Sequence, residues 1–353
     1  MKEVVLHIGA HKTGTTSIQH ALAGYDDGHT KYSSLQKKNH SIPMKAIFEK
    51  DFEKNFNWNR MNWRNRREIA DYKKNKQAIF HAELRDSRIE RLIISGEGIC
   101  SLSYDEKFNI VNEIQGAKAQ VKIIYFARDP NTLVTSMVQQ RAKSGQPMRK
   151  SVGPQYKNHV GPFLDFLPKE NIQVVDYSSI IKKHDLIKYF SDIIGLSLSN
   201  TQHRNQSLSR QGLSLVNILN NLPFSTQEKI ELFIIRRHFI YRIRKEFSVE
   251  SGCEKIKHEV FHQLLSINTQ EQCNWLRENF EIQYSVRTDH VAEVSIDDYL
   301  STGLNGYEAR IKKLLNSLGQ EFNSDKTVEE NMMNAFLGLV CYPPREILAA
   351  VSA

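Results

Sequence analysis

The residues best equipped for chemistry open the chain: Gly9-Ala10-His11-Lys12-Thr13-Gly14-Thr15-Thr16. Two glycines let a backbone turn tightly and approach a ligand. Lys12 adds a point charge, and Thr15 and Thr16 add hydroxyls. The loop follows a buried apolar run, Val4 to Ile8, and a helix is expected from Thr15-Thr16 to about Gly24. Strand, short glycine-bearing loop and helix make an anion-binding unit, because the first amides of a helix lack internal partners. In the Walker pattern lysine follows the second glycine; here it stands two residues before Gly14. No obvious magnesium-binding aspartate closes the next strand, so the pattern disfavours an ATPase.

A second group lies further on. The run Val121 to Ala127 ends in Arg128-Asp129-Pro130, and Ser136 stands eight residues after Arg128. Proline suits the first turn of a helix, which puts Ser136 near its second turn. Arg128 offers a planar fork for phosphate, or, taken alone, an ion pair with Asp129. A third candidate is Glu97, in Ser95-Gly96-Glu97-Gly98 just past the run Leu92 to Ser95. Ligands bind at the carboxyl ends of strands in open α/β sheets. A carboxylate there can take a proton from a hydroxyl; its plainer role is to cap the next helix. His11 is placed to shape a ligand contact, and His7 reads as a core residue inside its strand.

The elements that must position these groups alternate. Apolar runs at 4–8, 92–95, 121–127 and 171–176 are separated by helical patterns near 104–117, 130–145, 155–167 and 179–194. Residues 25–43 read as loop, and 44–90 as mostly helical. Such alternation predicts an α/β fold: an open, P-loop-like parallel sheet with helices on both faces. After about residue 195 helical patterns dominate. The chain therefore reads as an α/β core over 1–200, a helical subdomain over 201–320 and a tail over 321–353. That tail is expected either to dock as a terminal helix or to make contacts.

Composition sets limits. The 353 residues are 40% hydrophobic and 25% charged, enough for a core that needs neither disulfide nor metal. A net charge of +8 favours anionic partners or is simply a solvated basic surface. The four cysteines, Cys100, Cys253, Cys273 and Cys341, form no CxxC pair and read as reduced thiols. With no leader-like start and no apolar run of membrane-spanning length, a cytoplasmic setting is expected.

Lys12-Thr13-Gly14-Thr15-Thr16 after a buried strand resembles the 5′-phosphosulfate loop of sulfotransferases that use 3′-phosphoadenosine 5′-phosphosulfate (PAPS). Arg128 with Ser136 resembles the same family's 3′-phosphate motif. The resemblance extends through Gln139, Lys143, Gly145, Ser151 to Gly153, Tyr156, Phe163 and Phe166, and more loosely to Asn205 and Ser207. It implies that Gly9, His11, Lys12, Thr13, Gly14, Thr15, Thr16, Arg128 and Ser136 hold PAPS, with 3′,5′-adenosine bisphosphate as product and no metal. It further implies Glu97 as base, Lys12 at the leaving phosphate and a supporting role for His11. Glycan-modifying members often carry Ser-Ser-Glu where this chain has Ser95-Gly96-Glu97, a change expected to open room beside the glutamate. The implied reaction is sulfuryl transfer to a hydroxyl of an anionic carbohydrate, a capsular or exopolysaccharide precursor or a glycolipid, with no nucleic acid partner expected and peripheral membrane contact allowed. A kinase-like phosphotransferase and a non-catalytic nucleotide-binding protein are the alternatives.

Three further patterns compete. His258-Glu259-Val260-Phe261-His262 matches HExxH, a zinc-helix pattern with two free positions that charged amphipathic helices also produce by chance. Arg60 to Arg67 mixes cations with Trp63. Arg236 to Lys245 forms a second basic cluster around Phe239, Ile240 and Tyr241. These two clusters suit an anionic acceptor, or else are solvated helix faces.

Overall fold

The structure, a computed structural model, describes residues 2–54, 66–198, 207–222, 230–286 and 294–343. Five parallel strands form one sheet in the order β2-β3-β1-β4-β5. They are β1 (Glu3–His7), β2 (Thr30–Tyr32), β3 (Arg91–Ser95), β4 (Gln120–Ala127) and β5 (Ile172–Asp176). Parallel neighbours need crossovers, and here these are helical. They include α1 (Thr15–Leu22), α2 (Ser41–Phe48), α3 (Arg66–Arg85) and α4 (Tyr104–Gly116). Helices cover both faces of the sheet, as the alternation predicts.

Strand alternation sorts the side chains. Val5, Ile93, Ile124 and Phe126 point to one face. There they meet Ile18 and Leu22 of α1, Ile180 of α7 (Tyr177–Lys183), and Ile187, Phe190 and Ile194 of α8 (Leu186–Ile194). On the other face α4 packs against β4. A capping box holds the start of α4: Ser103 accepts from the Glu106 amide, and the Glu106 carboxylate accepts from the Ser103 amide.

Strand order locates the crevice. The chain leaves β1 toward β2 on one side and leaves β4 toward β5 on the other, while β1 and β4 are hydrogen-bonded neighbours. Loops that diverge from adjacent strands open a ligand crevice at the carboxyl edge. The loop after β1 and Arg128 after β4 lie at that edge.

Two compact units are present. The first comprises 1–129, 154–204 and 268–285 and contains the sheet; the second comprises 130–153, 205–267 and 286–353. The first also contains α6 (Tyr156–Phe166) and α11 (Thr269–Phe280). The second unit is helical, with α5 (Pro130–Lys143), α9 (Arg210–Asn221), α10 (Ile230–Glu246), α12 (Ile296–Ser301), α13 (Glu308–Ser317) and α14 (Val328–Cys341). Its own core joins Val134 and Val138 to Leu213, Leu215, Phe239, Phe261, Leu314 and Phe336. Within the tail, α14 is a docked helix whose Met332, Ala335, Phe336 and Leu339 are buried.

Several local expectations are corrected. Residues 25–43 are not all loop: they hold β2 and the start of α2. Three residues carry no hydrophobic period, and β2 exists because β3 templates it, with Asp27 accepting from the amides of His29 and Thr30 to set the turn before it. The helical pattern at 179–194 is two helices. The chain is extended at His184, and Asp185 recaps α8 by accepting from the Ile187 and Lys188 amides at 2.9 Å. The HExxH segment is a 3-10 helix, His258–Leu264, with three residues per turn. Residues four apart there do not share a face: His262 is buried, while His258 is exposed and hydrogen-bonds Thr135 Oγ1 at 2.9 Å. Two-histidine ligation of the helical zinc type needs that shared face.

Candidate functional site

The loop after β1 is shaped by two left-handed residues, Lys12 at φ 69° and Gly14 at φ 73°. Gly14 is there by necessity. A Cβ on it would fall inside the van der Waals envelope of Leu186 Cδ2 from α8. Lys12 has a Cβ and sits in the left-handed region regardless, at a cost of about 1–2 kcal/mol. Strain of this kind is kept where surrounding contacts over-determine the backbone. One such contact is direct: Arg128 Nη1 donates to the Lys12 carbonyl at 2.5 Å.

That bond joins two of the groups singled out from the sequence. Arg128 also lies 5.7 Å over the Tyr177 ring, and burial lowers its pKa. Its own carbonyl accepts from Tyr156 Oη. Next to it the Ala127 carbonyl accepts from Tyr284 Oη at 3.0 Å, and the same hydroxyl contacts Asp176 Oδ1 at 2.6 Å. Asp176 caps α7 as well, accepting from the Ser178 and Ser179 amides. The end of β4 is therefore braced by two phenols, Tyr156 and Tyr284.

The threonines divide their work. The Thr13 hydroxyl donates back to the Ala10 carbonyl at 2.6 Å and lies 3.4 Å from Thr15 Oγ1; both side chains are buried. Thr16 is exposed on the first turn of α1. Gly9 packs tightly below them, since a Cβ there would fall 2.6 Å from Thr15 Oγ1. Ser136 belongs to the other compact unit, half-exposed on α5.

Glu97 opens a short 3-10 turn, Glu97–Ile99, directly after β3. Because β1 and β3 end in register, with His7 opposite Ser95, that turn rises beside the loop after β1. His11 Nδ1 lies 4.0 Å from Glu97 Oε1. Side-chain exposures of 54% and 30% make this a loose, solvated pair of little energetic weight. Lys12, Arg128, His11 and Glu97 thus gather at one sheet edge, within one unit.

The expectation that Gly96 opens room beside Glu97 is overturned. The space belongs to the backbone of residues 40 and 41: a Cβ on Gly96 would meet Ser41 N at 2.7 Å and His40 C at 2.9 Å. The His40 amide donates to the Ser95 carbonyl, and the Ser95 amide donates to His40 Nδ1 at 3.1 Å. The Gly98 amide donates to Ser41 Oγ at 2.9 Å. Burial holds the His40 imidazole at a pKa of about 4, so it is neutral and free to accept from Ser95.

His7 is a core residue, as its place in a strand predicts. It is fully buried between Phe126 and Phe190, with Nδ1 2.8 Å from Ser95 Oγ, and burial lowers its pKa to about 3. The Arg236 cluster is not a uniform basic face: Arg236 is buried, and its Nη2 donates to the Ala142 carbonyl at 2.7 Å and to Asn220. Asn205 and residues 60–65 of the other cluster lie outside the described residues.

Sequence reasoning missed a polar cluster on the opposite face of β4. Tyr125 Oη lies 3.0 Å from His159 Nδ1 on α6. Pro162 stands inside that helix and has no amide proton, which leaves the Asn158 carbonyl without its helical donor. Lys107 of α4, itself 1% exposed, supplies the replacement, with Nζ 2.6 Å from that carbonyl. Burial brings the Lys107 pKa down to about 8. The signal available in the sequence was Pro162 inside a helical pattern, which marks a carbonyl in need of a partner.

No model of a known protein family matches this chain, and no curated protein matches it.

Proposed function

We propose that this protein transfers the sulfuryl group of PAPS to a hydroxyl of a carbohydrate acceptor. The observation that carries the reading is the Arg128–Lys12 bond, which ties a guanidinium at the end of β4 to the strained loop after β1 across the crevice. A nucleotide with phosphate groups at both its 5′ and 3′ ends needs anion donors from two such places. The donor set fits: loop amides, Lys12, the first turn of α1 and a partly buried arginine. When bound, PAPS supplies an activated sulfuryl group with the bisphosphate as leaving group.

The chain's own residues do the rest. Gly14 and Lys12 are both left-handed and set the turn of the loop, whose amides would hold the 5′-phosphate. Lys12 stabilises negative charge at the 5′ end, and Arg128 at the 3′ end. Glu97, partly exposed and held by the packed Gly96 turn, accepts the proton of the attacking hydroxyl. His11 stands beside Glu97 and helps to orient the acceptor. Gathering these groups at one edge supplies much of the rate through positioning. The reading extends to an anionic glycan or glycolipid as acceptor and to a cytoplasmic setting; all four cysteines are free thiols. Among the described residues no helix is long and apolar enough to cross a membrane.

Calorimetric titration with 3′,5′-adenosine bisphosphate tests this, with ATP and magnesium as control. Binding of the bisphosphate, weakened at least about 10-fold by Lys12→Ala or Arg128→Ala, is expected, each loss removing a charge-assisted contact. Clear ATP binding without bisphosphate binding would sink the reading in favour of a phosphotransferase. Glu97→Gln is expected to keep nucleotide binding and lower turnover by about 100-fold or more. Full nucleotide binding with no turnover in the unaltered protein would mark a binding protein instead.

A further inference from the structure

The basic cluster on α10 is a motif that the proposed chemistry leaves unused, and the structure sorts its residues by face. Ile235, Phe239, Ile240 and Ile243 are buried in the core of the helical unit. Arg236 is buried with them, 2% exposed, and its bonds to the Ala142 carbonyl and to Asn220 fix the rotation of the helix. Arg237, Tyr241 and Lys245 therefore fall on the outer face, where all three are exposed. Side chains four apart on a helix stand one above the other, so these three form a stripe about 12 Å long.

Three features set this stripe apart from an ordinary solvated helix face. Solvated faces usually alternate in sign, because like charges one turn apart repel. Here no acidic residue occurs between Leu232 and Lys245, and Arg242 and Lys245 are like-charged neighbours three apart. Glu246, the carboxylate next in the helix, is engaged elsewhere: Lys313 of α13 holds it at 2.8 Å. Arg242 instead directs its Nε to another basic side chain, donating to His238 Nε2 at 3.5 Å. Among these cations the Tyr241 side chain is 59% exposed. Local charge rules are broken chiefly at functional surfaces.

We propose that this stripe is a docking surface for an acidic polysaccharide chain. Arg237, Arg242 and Lys245 meet its anionic groups, and the Tyr241 ring lies against a sugar face. The choice of a glycan among polyanions rests on the sulfotransferase reading, in which the acceptor is an anionic carbohydrate. The stripe belongs wholly to the helical unit and gives the protein a hold on acceptor residues other than the one that reacts. A membrane surface fits less well. Interfacial helices bury an apolar face in lipid, and that face of α10 is already buried in protein.

Calorimetric titration of the full chain with heparin, a sulfated polysaccharide, tests this. Heparin is expected to bind, more weakly as salt rises. Arg237→Gln/Arg242→Gln/Lys245→Gln is expected to weaken binding about 10-fold or more, the order set by three exposed charge pairs. Tyr241→Ala keeps the charge and is expected to weaken it about 5-fold, through the lost cover of one ring. Thermal midpoints and bisphosphate affinity stay unchanged in both variants. Lys182→Gln/Lys183→Gln/Lys188→Gln removes as many exposed cations from the other unit and should leave heparin affinity nearly unchanged. An equal loss in that control overturns the proposal, since binding then follows net charge. So does displacement of heparin by the bisphosphate, which places the polymer at the crevice. Tighter binding of a single-stranded oligonucleotide or of phosphatidylserine vesicles to the stripe than of heparin overturns the polysaccharide as occupant. Unchanged heparin affinity in the triple α10 variant, with normal bisphosphate binding, overturns this inference and leaves the sulfotransferase reading standing. Heparin binding through the stripe and preferred to the other two polyanions, in a protein that does not bind the bisphosphate, sustains the docking surface and takes down that reading alone.

Discussion

Two turns at the same sheet edge use glycine for opposite ends. In the loop after β1, Gly14 takes a left-handed conformation, with His11 and Thr16 exposed. In the turn after β3, Gly96 and Gly98 have no such conformational duty. Gly96 is extended, and both glycines exist so that residues 40 and 41 can close against the strand. One glycine gives its space to the Leu186 side chain and its backbone to a left-handed turn, the other gives its space to a neighbouring backbone. The turn that carries Glu97 is thereby fixed by packing against residues 40 and 41.

Substitutions can break this contrast. Gly14→Ala meets both a left-handed backbone and Leu186, and should destabilise the protein by about 2–4 kcal/mol and remove bisphosphate binding. Chemical denaturation and calorimetry check the two effects. The double variant Gly14→Ala/Leu186→Ala should regain part of the stability lost to overpacking, since it removes the clash and leaves the backbone cost. Gly96→Ser should cost about 1–3 kcal/mol by overpacking against Ser41 and His40. It should also lower turnover without weakening bisphosphate binding, because it disturbs Glu97 and not the loop. Equal stability in Gly96→Ser would show that the 40–41 segment yields, and the contrast between the turns would fail.

Acid sharpens the comparison from below. His7 and His40 flank the end of β3 at Ser95, and burial depresses their pKa values to about 3 and about 4 from an ordinary 6.5. The unfolded chain takes up these protons first, so stability is full above pH 6.5 and falls as pH drops from there toward 4. Each buried histidine contributes a slope of about 1.4 kcal/mol per pH unit. His7→Gln should make the decline shallower by about one such slope, measured as denaturation midpoints between pH 4 and 7. The smallest effect is expected at Lys12. Lys12→Gly relieves the left-handed strain and should raise stability by up to about 1 kcal/mol while weakening bisphosphate binding.

Much of the site could be read from the chain, because its groups sit where strands end. Gly9 to Thr16, Glu97 and Arg128 each follow an apolar run directly, and apolar runs place the carboxyl edge of a parallel sheet. Tyr125 with His159, and Lys107 with the carbonyl freed by Pro162, could not be paired that way. Their partners lie 34 and 51 residues apart, and each residue alone reads as ordinary core or helix. β2 escaped notice for a related reason: a three-residue edge strand is defined by its neighbour's hydrogen bonds, not by its own pattern. The HExxH match failed from the other side. A pattern that presumes 3.6 residues per turn fell on a segment wound at three.

Local physics in the sequence determined the parallel sheet, its flanking helices and the strand-end positions of Lys12, Glu97 and Arg128, since hydrophobic period and glycine placement are properties of short segments. Tertiary structure alone decided that Arg128 holds the Lys12 carbonyl, that the space at Gly96 is filled by a neighbouring backbone, and that Tyr125 pairs with His159. Those are contacts between segments distant in the chain. Their energies depend on strand order and register, which no single segment encodes.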